Sequence, residues 1–287
     1  MKVGLIGTGL MGLSMVMKVI DAGLDISVFN RTQTKLEPLS ETKALICNSP
    51  SDVCQNSDII ILRLTDANAI RELILADSNA NMLQGKTLVQ MATIAPAESK
   101  EIQKKIVEAG GDYFEAPVLG SIPQVQSATL IVMVGATEQQ FEKWLDLLKI
   151  FSPDPILVGE VGQAAATKLA MNQLIGSLTA AFSASLGLVM KSDVDTEIFM
   201  KIVRNSALYA PTYDKKLDKM LNRDFLGANF STKHLLKDMK LFEKEASALG
   251  LNISGVQGVT KIVEDSCNAG LSDVDYSSLF SAVNPES

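Results

Sequence analysis

At 287 residues the chain is long enough for one large or two ordinary domains, and 47% hydrophobic with 21% charged residues is the composition of a globular protein, excluding a disordered or fibrous one. A net charge of -7 argues against a surface built to grip nucleic acid or anionic lipid, both of which need concentrated Lys and Arg. Any attraction for an acidic small molecule must then come from a local site. Three cysteines, Cys47, Cys54 and Cys267, are odd in number and lack C-x-x-C spacing, which points to reduced thiols used for packing in a cytoplasmic setting. A strand pattern begins at residue 2, so no export signal is expected.

In chain order, the first half alternates short apolar runs with amphipathic segments, the pattern of β-α-β units building a mostly parallel sheet. "KVGLIG" leads into a helix over 10–22, "DISVFN" into a second helical stretch, and "KALIC" follows. "DIIILRL" at 58–64 and "KTLVQMA" at 86–92 are near-continuous apolar runs, as strands buried on both faces require. Helices are expected in "DANAIRELILA" and "PAESKEIQKKIVEAG", strands in "YFEAPV", "TLIVMVGA" and "PILVG", and "LGSIPQVQSA" reads as a loop. These elements make a doubly wound domain over residues 1–161.

From Gly162 the strand runs vanish. A long apolar helix to about Lys191 is expected; its length raises a membrane question, but Lys168, Asn172 and Gln173 make a buried helix the better reading. "DTEIFMKIVRNS", "STKHLLKDMKLFEKEASALG" and "SGVQGVTKIVEDSCNAG" carry apolar residues three and four apart, with Gly250 and Gly270 as C-terminal caps. Residues 162–287 therefore form an all-helical domain, and the cleft between the two domains is the expected place for chemistry.

"GLIGTGLMGLSM" at 4–15 sets Gly7, Gly9 and Gly12 in G-x-G-x-x-G spacing after a strand and at the start of a helix, the context a dinucleotide fingerprint needs. Gly7 permits the tight turn, Gly9 lets a pyrophosphate approach the backbone, and Gly12 lets helix and strand pack closely. At the end of the second strand, where a carboxylate would grip a ribose diol, stand Asn30, Arg31 and Thr32. These can hydrogen-bond or pair with a 2′-phosphate, which favours NADP(H) and leaves NAD(H) possible.

Hydride transfer to a carbonyl needs a group that gives or takes a proton at its oxygen. The single histidine, His234, reads as a surface residue, no Tyr-x-x-x-Lys pair is present, and no His, Cys and carboxylate cluster has metal-ligand spacing. Lys168 and Asn172, four apart on one face of an otherwise apolar helix, stand out. A lysine in such surroundings can have its pKa lowered toward the range where it shuttles protons.

Four motifs in order, "GLIGTGLMG", "EAPVLGS" at 115–121, "GQAAATKLAMNQL" at 162–174 and "FSTKHLLKDMKL" at 230–241, carry a resemblance over essentially the full length to the β-hydroxyacid dehydrogenases. That family contains 3-hydroxyisobutyrate dehydrogenase, tartronate semialdehyde reductase and the glyoxylate/succinic semialdehyde reductases. The resemblance implies a Rossmann-type N-terminal domain and an all-α C-terminal domain joined by a long interdomain helix. It implies Lys168 as catalytic acid/base, with Asn172 beside it on the substrate. Cofactor contacts would fall on residues 4–18, Leu10 and Met11 included, on Asn30, Arg31 and Thr32, and on Leu64, Thr93 and Lys237. Phe230 and Asp238 match pocket-lining positions of the NADPH-dependent glyoxylate/succinic semialdehyde reductase branch, which "FNRT" also resembles.

One departure bears on the substrate. The family's substrate loop usually reads Pro-Val-Ser-Gly, whereas Pro117, Val118, Leu119 and Gly120 stand here, so the serine hydroxyl that would meet a carboxylate is missing. The backbone N–H groups of Gly120 and Ser121, with the Ser121 hydroxyl, are the expected replacements. The resemblance implies a small aldehyde acid such as glyoxylate or succinic semialdehyde, with an NAD-dependent 3-hydroxyisobutyrate-type or tartronate semialdehyde enzyme as the alternative. Lys168 disfavours imine reduction, and Lys168 with Asn172 disfavours a dinucleotide-binding module without turnover. The family's habit implies a homodimer or homotetramer.

Overall fold

The computed structural model describes residues 1–76 and 82–285. Its first compact unit, Met1–Lys168, is built on a nine-stranded sheet. The strands are β1 (Lys2–Ile6), β2 (Asp25–Phe29), β3 (Leu45–Ile46), β4 (Ile59–Leu62), β5 (Thr87–Gln90), β6 (Asp112–Glu115), β7 (Val118–Leu119), β8 (Ile131–Gly135) and β9 (Ile156–Gly159). Their order is β3-β2-β1-β4-β5-β6-β8-β7, with β9 also on β8. All pairs from β3 to β6 are parallel, and β8 runs antiparallel to β6.

The register of these strands lines up their ends. Phe29, Ile6, Leu62, Gln90 and Glu115 are successive partners across β2, β1, β4, β5 and β6. The residues after each of them therefore leave the sheet along one carboxyl edge, and the strand order reverses there between β1 and β4, the place where doubly wound sheets hold ligands. Every residue of β4 is buried, as expected of a strand covered on both faces. The covering helices in this unit include α1 (Leu10–Asp21), α2 (Pro50–Gln55), α3 (Ala67–Ile74), α4 (Pro96–Glu108), α5 (Ile122–Gln126) and α6 (Glu138–Lys149).

Two local expectations are corrected. The segment after β2 is a 3-10 turn over Gln33–Leu39, not an α-helix; Pro38 lies inside it and lacks the N–H that a longer helix would use. The stretch 119–128, read as a loop, holds the end of β7 and the short helix α5, which starts with Pro123 at its second position.

The helix α7 (Gln163–Lys191) runs to the residue expected. It is buried along one face, through Leu169, Asn172, Gly176, Ala180, Ser183 and Leu186, and exposes Met171, Leu174 and Leu188, so the reading of a buried helix holds for that face alone. The two compact units divide after Lys168, inside α7.

In the second unit, Leu169–Ser287, α7 is followed by α8 (Thr196–Arg204), α9 (Pro211–Leu221), α10 (Thr232–Ala248), α11 (Ser254–Ser266) and α12 (Leu279–Val283). Gly250, at φ +76°, terminates α10, and Gly270, at φ +84°, closes the π-type turn after α11. One apolar cluster joins Ala180, Leu235, Met239, Val263 and Leu279; a second joins Phe182, Leu186, Met200, Leu217 and Phe280. Between them Asp275, 1% exposed, accepts from Lys216 Nζ at 2.9 and 2.8 Å and from the Ser277 N–H at 3.0 Å. Lys216 Nζ also stands 4.3 Å from the centre of the Tyr276 ring. Removing Lys216 leaves the buried Asp275 charge unmatched, so Lys216→Met is expected to cost about 3–5 kcal/mol, read as a lowered urea midpoint.

Candidate functional site

The glycine turn follows β1 at the carboxyl edge. Gly7 sits at φ +105°, and a Cβ there would lie 2.3 Å from the carbonyl oxygen of Arg63. A Cβ on Gly12 would lie 2.1 Å from the Gly7 oxygen, so α1 can approach β1 because that position has no side chain. Gly9 differs, since its Cβ would meet nothing within 4 Å. Open space over Gly9, no side chain capping α1, and no acidic residue in its first turn make a cradle for an anionic group at a helix N-terminus. The residues present thus fit a dinucleotide pyrophosphate. Leu10 is 68% exposed beside this turn, and Met11 is half-buried with its Sδ 3.0 Å from an Arg63 guanidinium nitrogen.

The neighbouring strand ends bring the other expected residues to the same edge. Asn30 is engaged at both ends of its amide: Oδ1 accepts from the Thr8 N–H at 3.0 Å, and Nδ2 donates to the Thr32 carbonyl at 2.9 Å. It fastens the glycine turn to the end of β2. Arg31 follows Asn30 with its side chain 77% exposed and Glu72 of α3 3.8 Å away. Leu64 packs against the core after β4, and a Cβ on Gly7 would lie 3.2 Å from its Cδ2. Thr93 follows β5, half-buried, before α4.

At the substrate loop, Leu119 pairs with Ile131, and Gly120 turns the chain at φ +121°. The Ser121 N–H and hydroxyl both donate to Gln124 Oε1, each at 2.9 Å. Of the donors expected to replace the missing serine, those of Ser121 are therefore occupied by Gln124.

Lys168 is half-buried in the second turn of α7, and Asn172 follows one turn later. Asn172 Nδ2 donates to Asp238 Oδ2 of α10 at 2.6 Å; both residues are 2% exposed. The carboxylate partner fixes which end of the Asn172 amide points where. Lys237 Nζ lies 3.1 Å from Asp238 Oδ1 as an ion pair without hydrogen-bond alignment, which balances the buried charge. The two helices meet closely because Gly176 lies one turn beyond Asn172, where a Cβ would be 3.0 Å from Met239 Sδ. Phe230 stands before α10 with its ring edge-on to Tyr276 at 5.8 Å. His234 is exposed on α10, its Nδ1 2.8 Å from Ser231 Oγ. Cys47 and Cys54 are buried free thiols, and burial pushes Cys54 up to about 11; Cys267 is half-buried.

Sequence reasoning passed over Glu115, which is fully buried at the end of β6. Its Oε1 accepts from the N–H groups of Gly162 at 2.8 Å and Ala165 at 2.9 Å, and its Oε2 accepts from the Ser99 hydroxyl. Burial pushes its carboxyl above the ordinary range, opposed by those hydrogen bonds. The available signal was a carboxylate closing the apolar strand "YFE". Arg63 was also missed; its Nη1 donates to the Met91 carbonyl at 2.8 Å, joining the ends of β4 and β5.

A family model described as the NAD-binding domain of 6-phosphogluconate dehydrogenase matches residues 2–162, and one described as NAD-binding of NADP-dependent 3-hydroxyisobutyrate dehydrogenase matches 162–283. The chain is 30% identical to chloroplastic glyoxylate/succinic semialdehyde reductase 2 of Arabidopsis thaliana, over 98% of this chain and 79% of that protein. It is 29% identical to 2-hydroxy-3-oxopropionate reductase of Escherichia coli, over 99% and 97%. Among solved structures, 3-hydroxyisobutyrate dehydrogenase of Mycobacterium tuberculosis with L-serine superposes at a TM-score of 0.87, with 19% identity over 97% of each chain.

Two outcomes are expected at the nucleotide loop. Gly12→Ala should cost about 1–3 kcal/mol of stability through overpacking, whereas Gly9→Ala leaves the urea midpoint in place and weakens dinucleotide binding in a fluorescence titration. Arg31→Ala should weaken NADPH about 10-fold or more through the lost charged hydrogen bond with little effect on NADH, while Glu72→Gln tightens NADPH.

Proposed function

Because the chain belongs to the β-hydroxyacid dehydrogenases, NAD(P)-dependent oxidoreductases of hydroxy acids, we propose that it reduces a small aldehyde acid of the glyoxylate or succinic semialdehyde kind with NADPH, with Lys168 as the proton donor. The observation that carries this reading is the placement of Lys168 one turn before Asn172 on α7, with Asn172 locked to Asp238 at 2.6 Å. Exposed Arg31 after β2, with no carboxylate at position 30, supports the 2′-phosphate form.

Gly7, Gly9, Gly12 and the first turn of α1 with Leu10 and Met11 would hold the pyrophosphate, Arg31 and Thr32 the 2′-phosphate, and Leu64, Thr93 and Lys237 the remainder of the cofactor. The chemistry supplied by a reduced nicotinamide is hydride delivery to a carbonyl carbon. Lys168 then gives a proton from Nζ to the carbonyl oxygen as it becomes a hydroxyl, and takes it back in the oxidative direction. Asn172, its amide oriented by Asp238, hydrogen-bonds the substrate, and Phe230 supplies an apolar wall.

On the substrate loop, Leu119 offers no hydroxyl and Gln124 occupies the donors of Ser121, so of the donors expected there the Gly120 N–H is the one that would meet a carboxylate. Reduction of tartronate semialdehyde is the second reading, favoured by the 29% identity to an enzyme named for that activity.

Lys168→Ala should lower kcat about 100-fold or more and leave NADPH binding intact. Retained turnover against glyoxylate, succinic semialdehyde and tartronate semialdehyde would remove Lys168 from the mechanism, and the ranking of the three aldehydes by kcat/KM decides between the two substrate readings.

A further inference from the structure

Glu115 has no exposed area, so it acts through what it holds. It holds the start of α7: one oxygen receives the N–H groups of both Gly162 and Ala165. Ala165 and Lys168 are three residues apart, neighbours on one side of a rigid helix. The other carboxyl oxygen is fixed by the Ser99 hydroxyl of α4, which lies 2.8 Å from the Tyr113 hydroxyl. On β8, Gly135 is the strand partner of Glu115, and a Cβ there would lie 2.6 Å from Glu115 Oε1, so the space for the carboxyl depends on a residue without a side chain.

We propose that Glu115 is a positioning residue for proton transfer: by accepting the N–H groups of Gly162, just before α7, and Ala165, in its first turn, it fixes where the next turn places the Lys168 amine. The inference rests on Lys168 as the acid/base. It adds that this amine's position is set by a carboxyl on the sheet, in the same row of strand ends as Gln90, Leu62, Ile6 and Phe29. Oε1 accepts both N–H groups whether or not the carboxyl carries a proton, because the proton can reside on Oε2 and be donated to Ser99. A glutamine side chain reproduces that arrangement, with its oxygen on the helix and its amide donating to Ser99.

The test compares Glu115→Ala, Glu115→Gln, Gly135→Ala, Lys168→Ala and the double variant Glu115→Ala/Lys168→Ala, by steady-state kinetics and NADPH titration. A displaced proton donor costs about 100-fold in rate. Glu115→Ala is therefore expected to lose kcat on that scale while its NADPH dissociation constant and its KM for the aldehyde stay near those of the parent. Glu115→Gln should restore kcat, and the double variant should be no slower than Lys168→Ala alone, as for residues acting through one step. If Glu115→Ala does not fold, Gly135→Ala, which displaces the carboxyl without deleting it, is expected to show the same loss of kcat at unchanged NADPH binding.

Parent-like kcat in Glu115→Ala, or in Gly135→Ala where it stands in, overturns the proposal. So does a rate loss that multiplies fully with that of Lys168→Ala. Normal turnover of Lys168→Ala overturns the acid/base assignment instead, a result that does not depend on Glu115.

Discussion

A buried carboxyl that receives two backbone N–H groups ties the central sheet to the helix carrying the candidate proton donor. Placing a carboxyl in a protein interior costs several kcal/mol unless its oxygens are matched, and hydrogen bonds to charged groups return about 1.5–3 kcal/mol each. Glu115 meets that requirement with Gly162, Ala165 and Ser99. The same bonds satisfy N–H groups at a helix start that would otherwise lack partners, so the strand end and the helix start solve each other's polar problem. Glu115 is also one position in the row of strand ends from which the glycine turn, Asn30, Leu64 and Thr93 leave the sheet.

Much of this edge was legible in the sequence because the signals are local. Gly7 and Gly12 are required by close backbone approaches around the turn, and the "IIIL" of "DIIILRL" is apolar throughout because β4 is covered on both faces. Reading failed where the deciding partner lies far along the chain or where a local feature outweighed the pattern. Glu115 meets Gly162 and Ala165 some fifty residues away, so no window around "EAPVLGS" reveals its role. The segment after β2 has helical composition, and Pro38 turns it into a 3-10 turn. In the second unit α9 was not singled out, because "PTYDKKLDKML" is mostly polar and buries little beyond Leu217 and Met220.

The second unit shows why a polar pair can persist on apolar helices. Asn172 and Asp238 are nearly without exposed surface, and each would be costly alone. Their mutual hydrogen bond, with the Lys237 ion pair, removes that cost, and Gly176 permits the helix approach that brings them within reach. Sequence spacing picked out Asn172 and the family resemblance picked out Asp238, but their direct bond depends on the meeting of two helices that neither segment announces.

At the end of β2 two adjacent residues divide their duties. Asn30 spends both ends of its amide on Thr8 and Thr32, whereas Arg31 projects into solvent with a distant ion-pair partner. A change at Asn30 disturbs the turn itself; a change at Arg31 alters a charge and leaves the turn standing. With Arg31 as the proposed partner of a 2′-phosphate, the residue that would set coenzyme preference is one the fold leaves unconstrained, while its neighbour Asn30 is held by the turn whichever coenzyme is used.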